Sequence, residues 1–163
     1  MYHKPEKIQE WLNRIVGHEG GYWNDPVGGP TKWGISQRSY PHLDIKNLTV
    51  EDAAKIYRED YIKPLNADMF DDGVAYQLLD FAVNSGQNNA VKCLQKELNL
   101  VSDGVIGRKT MEAILGRKES DLIQLIIACR LEFMTNLKNW PSNSRGWVRR
   151  MVGNLRYGVK DSQ

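Results

Sequence analysis

The sequence reads as a mainly α-helical single domain with one small β-hairpin after its first helix, and three observations point that way. Apolar residues recur at three- and four-residue spacing in the first segment and again through most of the chain beyond Thr49. Between them, residues 22–40 are rich in Gly, Pro, Asn and Asp, which break any helical run. The chain has 163 residues, 41% of them hydrophobic, enough for one sizeable core, and neither an internal repeat nor a Pro/Gly/Ser-rich linker divides it.

Taken in order, Ile8, Trp11, Leu12, Ile15 and Val16 form the apolar stripe of a first helix. Pro5 suits its first turn, and Gly20-Gly21 suit an ending near Glu19. Asn24, Asp25, Pro26, Gly28, Gly29, Pro30 and Gly34 then make an irregular loop, in which Trp33, Ile35 and Tyr40 supply short extended pieces of a hairpin. Helices resume with Thr49 as N-cap three residues before Asp52, and Pro64 stops that run. The periodicity predicts further helices over residues 74–84, 90–98, 109–115, 120–137 and 147–157. Asp103-Gly104 with Gly107 punctuates two of them.

Composition excludes several classes of function. With 22 basic and 20 acidic residues the net charge is +2, too balanced for a dedicated nucleic-acid binder. His3, His18, His42 and the two cysteines have no zinc-site spacing, and neither a metal nor another cofactor is expected. Cys93 and Cys129 sit in apolar helical patterns and read as buried free thiols. The N-terminal run has no h-region of a signal peptide, and no stretch is apolar and long enough to span a bilayer, so synthesis in the cytoplasm is expected.

Two carboxylates stand out. Glu19 follows Ile15 by four and Val16 by three, so a helix continued to that point puts it on the core-facing stripe. Desolvation there raises a carboxyl pKa, as a general acid requires. A helix that frays at Gly17 leaves Glu19 a solvated residue instead. Asp25, six residues on in the Asn24-Asp25-Pro26 turn, could supply the second group that glycoside cleavage usually needs, or could serve only its own Asx turn.

The run His18-Glu19-Gly20-Gly21-Tyr22, then Asn24-Asp25-Pro26, Gly28-Gly29-Pro30-Thr31 and Trp33-Gly34-Ile35-Ser36, closely resembles the signature of the family-108 glycoside hydrolases, N-acetylmuramidases of phage endolysins and wall-lytic proteins. Downstream, Asp80-Phe81-Ala82-Val83-Asn84-Ser85-Gly86, Leu94-Gln95, Asp103-Gly104-Val105-Ile106-Gly107 and Thr110 resemble the peptidoglycan-binding segment that accompanies that motif. In many relatives the loop after the Asp-Pro pair is longer, whereas only Val27 separates Pro26 from Gly28 here.

The resemblance implies a lysozyme-like fold, with residues 1–70 as the catalytic helix and hairpin region and 71–163 as a helical peptidoglycan-binding lobe. It implies Glu19 as catalytic acid and, by analogy with lysozymes, catalytic roles for Asp25 and Thr31, the latter through a hydroxyl that orients water. Tyr22 and Trp33 then offer aromatic faces to sugar rings, although either also fits hairpin core. Asn84 and Gln87 offer amides to N-acetyl or hydroxyl groups, with helix capping by Asn84 the structural alternative.

The expected activity is cleavage of the β-1,4 bond between N-acetylmuramic acid and N-acetylglucosamine by a monomeric phage endolysin, reaching the wall through a separate pore. A lytic transglycosylase and a non-catalytic peptidoglycan binder are the alternatives. At the C-terminus Arg145, Arg149, Arg150, Arg156 and Lys160 face only Asp161 in charge. That helix reads either as a solvated surface with Trp147, Val148, Met151 and Leu155 for packing or as a contact for the anionic envelope.

Overall fold

The computed structural model describes residues 4–17, 21–25 and 29–163. The chain forms two compact units, one within Tyr2–Lys63 and one over Pro64–Gln163, and passes from the first to the second at the proline that stops a helix.

The first unit opens with α1 (Pro5–Val16), which has Pro5 in its first turn and buries Ile8, Trp11, Leu12 and Ile15. It ends earlier than the stripe suggested. Gly17 adopts φ 75°, a left-handed conformation that glycine reaches without a Cβ penalty, and the helical phase stops there. The hairpin is a three-stranded antiparallel meander, β1 (Trp23–Asp25), β2 (Gly29–Lys32) and β3 (Ile35–Ser36). Gln37 tethers the loop that follows, its Nε2 lying 3.1 Å from the carbonyls of Tyr40 and Pro41 and 2.8 Å from that of Leu43.

Helix α2 (Val50–Tyr57) starts at the expected cap, where the Thr49 hydroxyl accepts from the Asp52 amide at 3.1 Å and donates to the Asp52 carboxylate at 2.8 Å. It runs on into a π-helical turn, Arg58–Ile62, before Pro64 removes the next amide donor. The α1 and α2 helices pack together.

The second unit is helical: α3 (Asp72–Ser85), α4 (Gln87–Glu97), α5 (Arg108–Leu115), α6 (Glu119–Thr135) and α7 (Trp140–Asp161). The most enclosed is α3, buried continuously from Gly73 to Ala82. Two glycines let neighbours approach: a Cβ at Gly73 would lie 2.7 Å from the Ile123 side chain, and one at Gly158 would lie 2.6 Å from it. Ile123 of α6 is thus wedged against both α3 and α7. The last helix begins at Trp140, not near 147, because Pro141 sits in its first turn, where a missing amide donor costs nothing. Of the four C-terminal residues read as packing, Met151 is buried and Trp147 half-buried, whereas Val148 and Leu155 are exposed. Cys93 and Cys129 are free thiols; the Cys93 thiol donates to the Cys129 carbonyl at 3.2 Å.

Candidate active site

The meander of the first unit holds Asp25, Thr31 and Trp33 of the residues expected at the site. In β1, Trp23 pairs with Thr31 of β2, which pairs in turn with Ser36 of β3. Directly paired residues project to the same face of a sheet, so an indole and two hydroxyls form one row across it. That face is open: Trp23 is 64% exposed, while Thr31 and Ser36 are half-buried. On the opposite face, Ile35 is buried. An exposed ring beside hydroxyl groups matches the two sides of a sugar, apolar C–H faces and hydroxyl edges. Tyr22, 46% exposed, immediately precedes this row.

Trp33 occupies a different position. With Gly34 it forms the two-residue turn between β2 and β3, and both residues have positive φ, 54° and 75°. Two left-handed residues are what a two-residue turn needs to match strand twist, but a bulky residue seldom takes the first of them. A hydrogen bond from the Tyr57 hydroxyl to the Trp33 carbonyl, at 3.2 Å, holds it there, with the side chain half-buried. Its indole nitrogen is buried and has no hydrogen-bond partner among the described residues, and Trp33 sits in the turn, outside the row of Trp23, Thr31 and Ser36. Gly34 is required beside it, since a Cβ there would meet the Tyr57 hydroxyl at 2.5 Å.

The π-helical turn brings further polar groups to this unit. Tyr57 and Tyr61 stand with ring centroids 5.4 Å apart, and Tyr40 donates to the Asp60 carboxylate at 2.5 Å. Burial, then the Asp60 bond and charge, pushes the Tyr40 phenol above its ordinary range.

Asp25 is the last residue of β1, its backbone paired with Gly29. Glu19 lies outside the described residues. Since α1 stops at Val16, the helical spacing that put Glu19 on the apolar stripe does not extend to it.

Asn84 and Gln87 belong to the second unit, on either side of Gly86 between α3 and α4. Asn84 is exposed, and its amide donates to the Asp80 carbonyl at 2.7 Å, one helical turn back; Gln87 opens α4 and is half-buried. Asp80 itself is fully buried. Its carboxylate accepts from Arg130 Nη1 at 2.6 Å, Asn154 Nδ2 at 2.8 Å and Arg150 Nε at 3.1 Å, and also from Arg150 Nη2. Burial alone would raise its pKa, but the hydrogen bond from Arg150 and the charges of Arg130 and Arg150 outweigh it and hold the carboxyl below its usual range. Gln95 is likewise turned inward. Its side chain lies 2.8 Å from the Asp103 carboxylate and 3.1 Å from the Thr110 hydroxyl, and accepts from the Gly104 amide at 2.9 Å. Several polar residues of the downstream motif therefore organise the helical unit itself.

The glycosyl hydrolase 108 family matches residues 12–86, a stretch that runs from mid-α1 through the meander to the end of α3. Over residues 12–86 the chain is thus similar to glycosyl hydrolase family 108. The family-108 segment holds Tyr22, Trp23, Thr31, Trp33 and Asn84 together with Glu19 and Asp25, and stops one residue short of Gln87. The chain is accordingly a glycoside hydrolase acting on peptidoglycan. A solved structure of Brucella abortus SagA is similar at 29% identity and a TM-score of 0.85, over 98% of this chain and 98% of that one. Comparison with curated proteins gives no match. The mainly α, lysozyme-like class expected from the sequence is the one observed.

The sequence reading missed Trp23 and Ser36. Their signal is the two-residue alternation in the strands, legible only once the register sets Trp23 opposite Thr31.

Proposed function

We propose that this family-108 hydrolase cleaves the β-1,4 bond between N-acetylmuramic acid and N-acetylglucosamine, as a phage endolysin that reaches the wall through a separate pore. Glu19 donates a proton to the leaving oxygen; Asp25 stabilises the cationic sugar or, with Thr31, directs the attacking water. Trp23 and Tyr22 hold sugar rings next to that chemistry, and Asn84 and Gln87 contribute amide contacts to the glycan.

The observation that carries this reading is the family-108 match across the Glu19 motif, continuous with a meander whose open face presents an exposed indole and two hydroxyls. Digestion of purified peptidoglycan followed by mass spectrometry tests it. Fragments ending in reducing N-acetylmuramic acid are expected; 1,6-anhydro ends would make the enzyme a transglycosylase, and unaltered wall would make the chain a binder.

A further inference from the structure

Helix α7 carries two apolar faces. Met151, Asn154 and Gly158 are the buried one, packed into the helical unit. Val148, Val152, Leu155 and Val159 make the second, spaced by four, three and four residues, and they are 41%, 40%, 45% and 64% exposed. That spacing keeps them on one line along the helix, a stripe about 16 Å long. Each of the exposed residues Arg145, Arg149 and Arg156 stands three positions before a valine of the stripe, so the three guanidinium groups border the same edge of it.

We infer that this face is a docking surface for an anionic phospholipid bilayer, on which α7 lies with the valine and leucine side chains among the acyl chains and the arginines at the phosphates. The charge distribution decides the occupant. Between Trp140 and Lys160 the helix has no acidic residue, and Arg150 is already committed to Asp80. A second copy docked on the stripe by two-fold symmetry would bring like guanidinium groups together, whereas a phosphate surface neutralises them. An apolar stripe bordered by arginine is the pattern of interfacial helices, and among the described residues no helix is long and apolar enough to cross a membrane. The stripe belongs to the helical unit, and none of its residues is among those placed at the glycan.

Flotation of the whole protein with vesicles tests this. Binding to phosphatidylglycerol–phosphatidylcholine vesicles, weakened by salt, and little binding to pure phosphatidylcholine are expected. Leu155→Glu and, separately, Val152→Glu should weaken binding by about tenfold or more. Because both positions are exposed, the variants should retain the wild-type circular dichroism and full activity on lipid-free peptidoglycan. Equal binding to neutral and anionic vesicles, no binding to either, or undiminished binding by folded variants would overturn the assignment. So would sedimentation showing a wild-type dimer that Leu155→Glu dissociates, since a second copy would then occupy the face.

Discussion

Gly34→Ala tests the account of the turn that carries Trp33. At φ 75° an alanine meets a left-handed penalty of about 1–2 kcal/mol. Its Cβ would also fall 2.5 Å from the hydroxyl of Tyr57, a buried side chain. Displacing that group costs about 1–3 kcal/mol as overpacking. Losing its bond to the Trp33 carbonyl costs about 1 kcal/mol more. The single variant should therefore be about 3–6 kcal/mol less stable. Tyr57→Phe alone should cost about 1 kcal/mol. With the hydroxyl gone, the nearest neighbours of the new Cβ are Val16 Cγ1 at 3.5 Å and Cζ of residue 57 at 3.8 Å, both ordinary contacts. The double variant should then recover about 2–4 kcal/mol relative to the sum of the singles. Urea unfolding of the four proteins followed by circular dichroism measures the cycle. A strictly additive double variant, or a Gly34→Ala protein within about 1 kcal/mol of wild type, would refute the close approach.

Four more outcomes are expected. Glu19→Gln should abolish wall digestion by the folded protein, and Asp25→Asn should lower turnover about a hundredfold or more; a folded Glu19→Gln protein that still clears walls removes Glu19 from the chemistry. Trp23→Ala should raise KM on soluble glycan fragments with little change in melting temperature, while Trp23→Phe keeps much of the affinity; an unchanged KM in the alanine variant would leave the exposed indole without a role. Asp80 has a folded pKa below its unfolded value of about 3.9, so its stabilisation is complete above that value and is lost as pH falls through the folded pKa. Asp80→Asn leaves two arginines facing a neutral group, should cost about 3–5 kcal/mol at neutral pH, and should flatten this acid-side dependence; acid unfolding curves of the same shape in both proteins would contradict it. Gly158→Ala should lower the melting temperature by pushing α7 from Ile123 Cγ2, and combined with Ile123→Ala, which removes that atom, it should cost less than the sum of the two single variants.

Much of the helical frame was legible in the sequence because its signals are local. The Thr49–Asp52 cap, the stop at Pro64 and the stripe from Ile8 to Ile15 each lie within one or two turns of helix. What stayed hidden depends on contacts between residues far apart. Nothing around Asp80 announces partners 50, 70 and 74 residues away, and nothing around Gly34 announces Tyr57. Periodicity on α7 reveals two apolar lines but not which is packed, so Val148 and Leu155 looked like core. The stripe of α1 was followed past Gly17 to Glu19, whereas the helix ends at Val16; Glu19 itself lies outside the described residues. For the candidate site, residue types and order were readable, whereas the row from Trp23 to Ser36 required the strand register.

The cluster around Asp80 also fixes an order of events during synthesis. Arg130 and Arg150 enter it from α6 and α7, and Asn154 comes still later. As the chain leaves the ribosome, α3 emerges with a carboxylate that has no counter-charge until α6 follows, and no bidentate partner until α7 does. A buried carboxylate without its cations is strongly unfavourable, so α3 stays open to solvent or to chaperones through that interval. Closing so long a loop slows the final step without greatly weakening its product. A ribosome paused between α6 and α7 should therefore hold a nascent chain whose first unit resists protease while α3 is still cut.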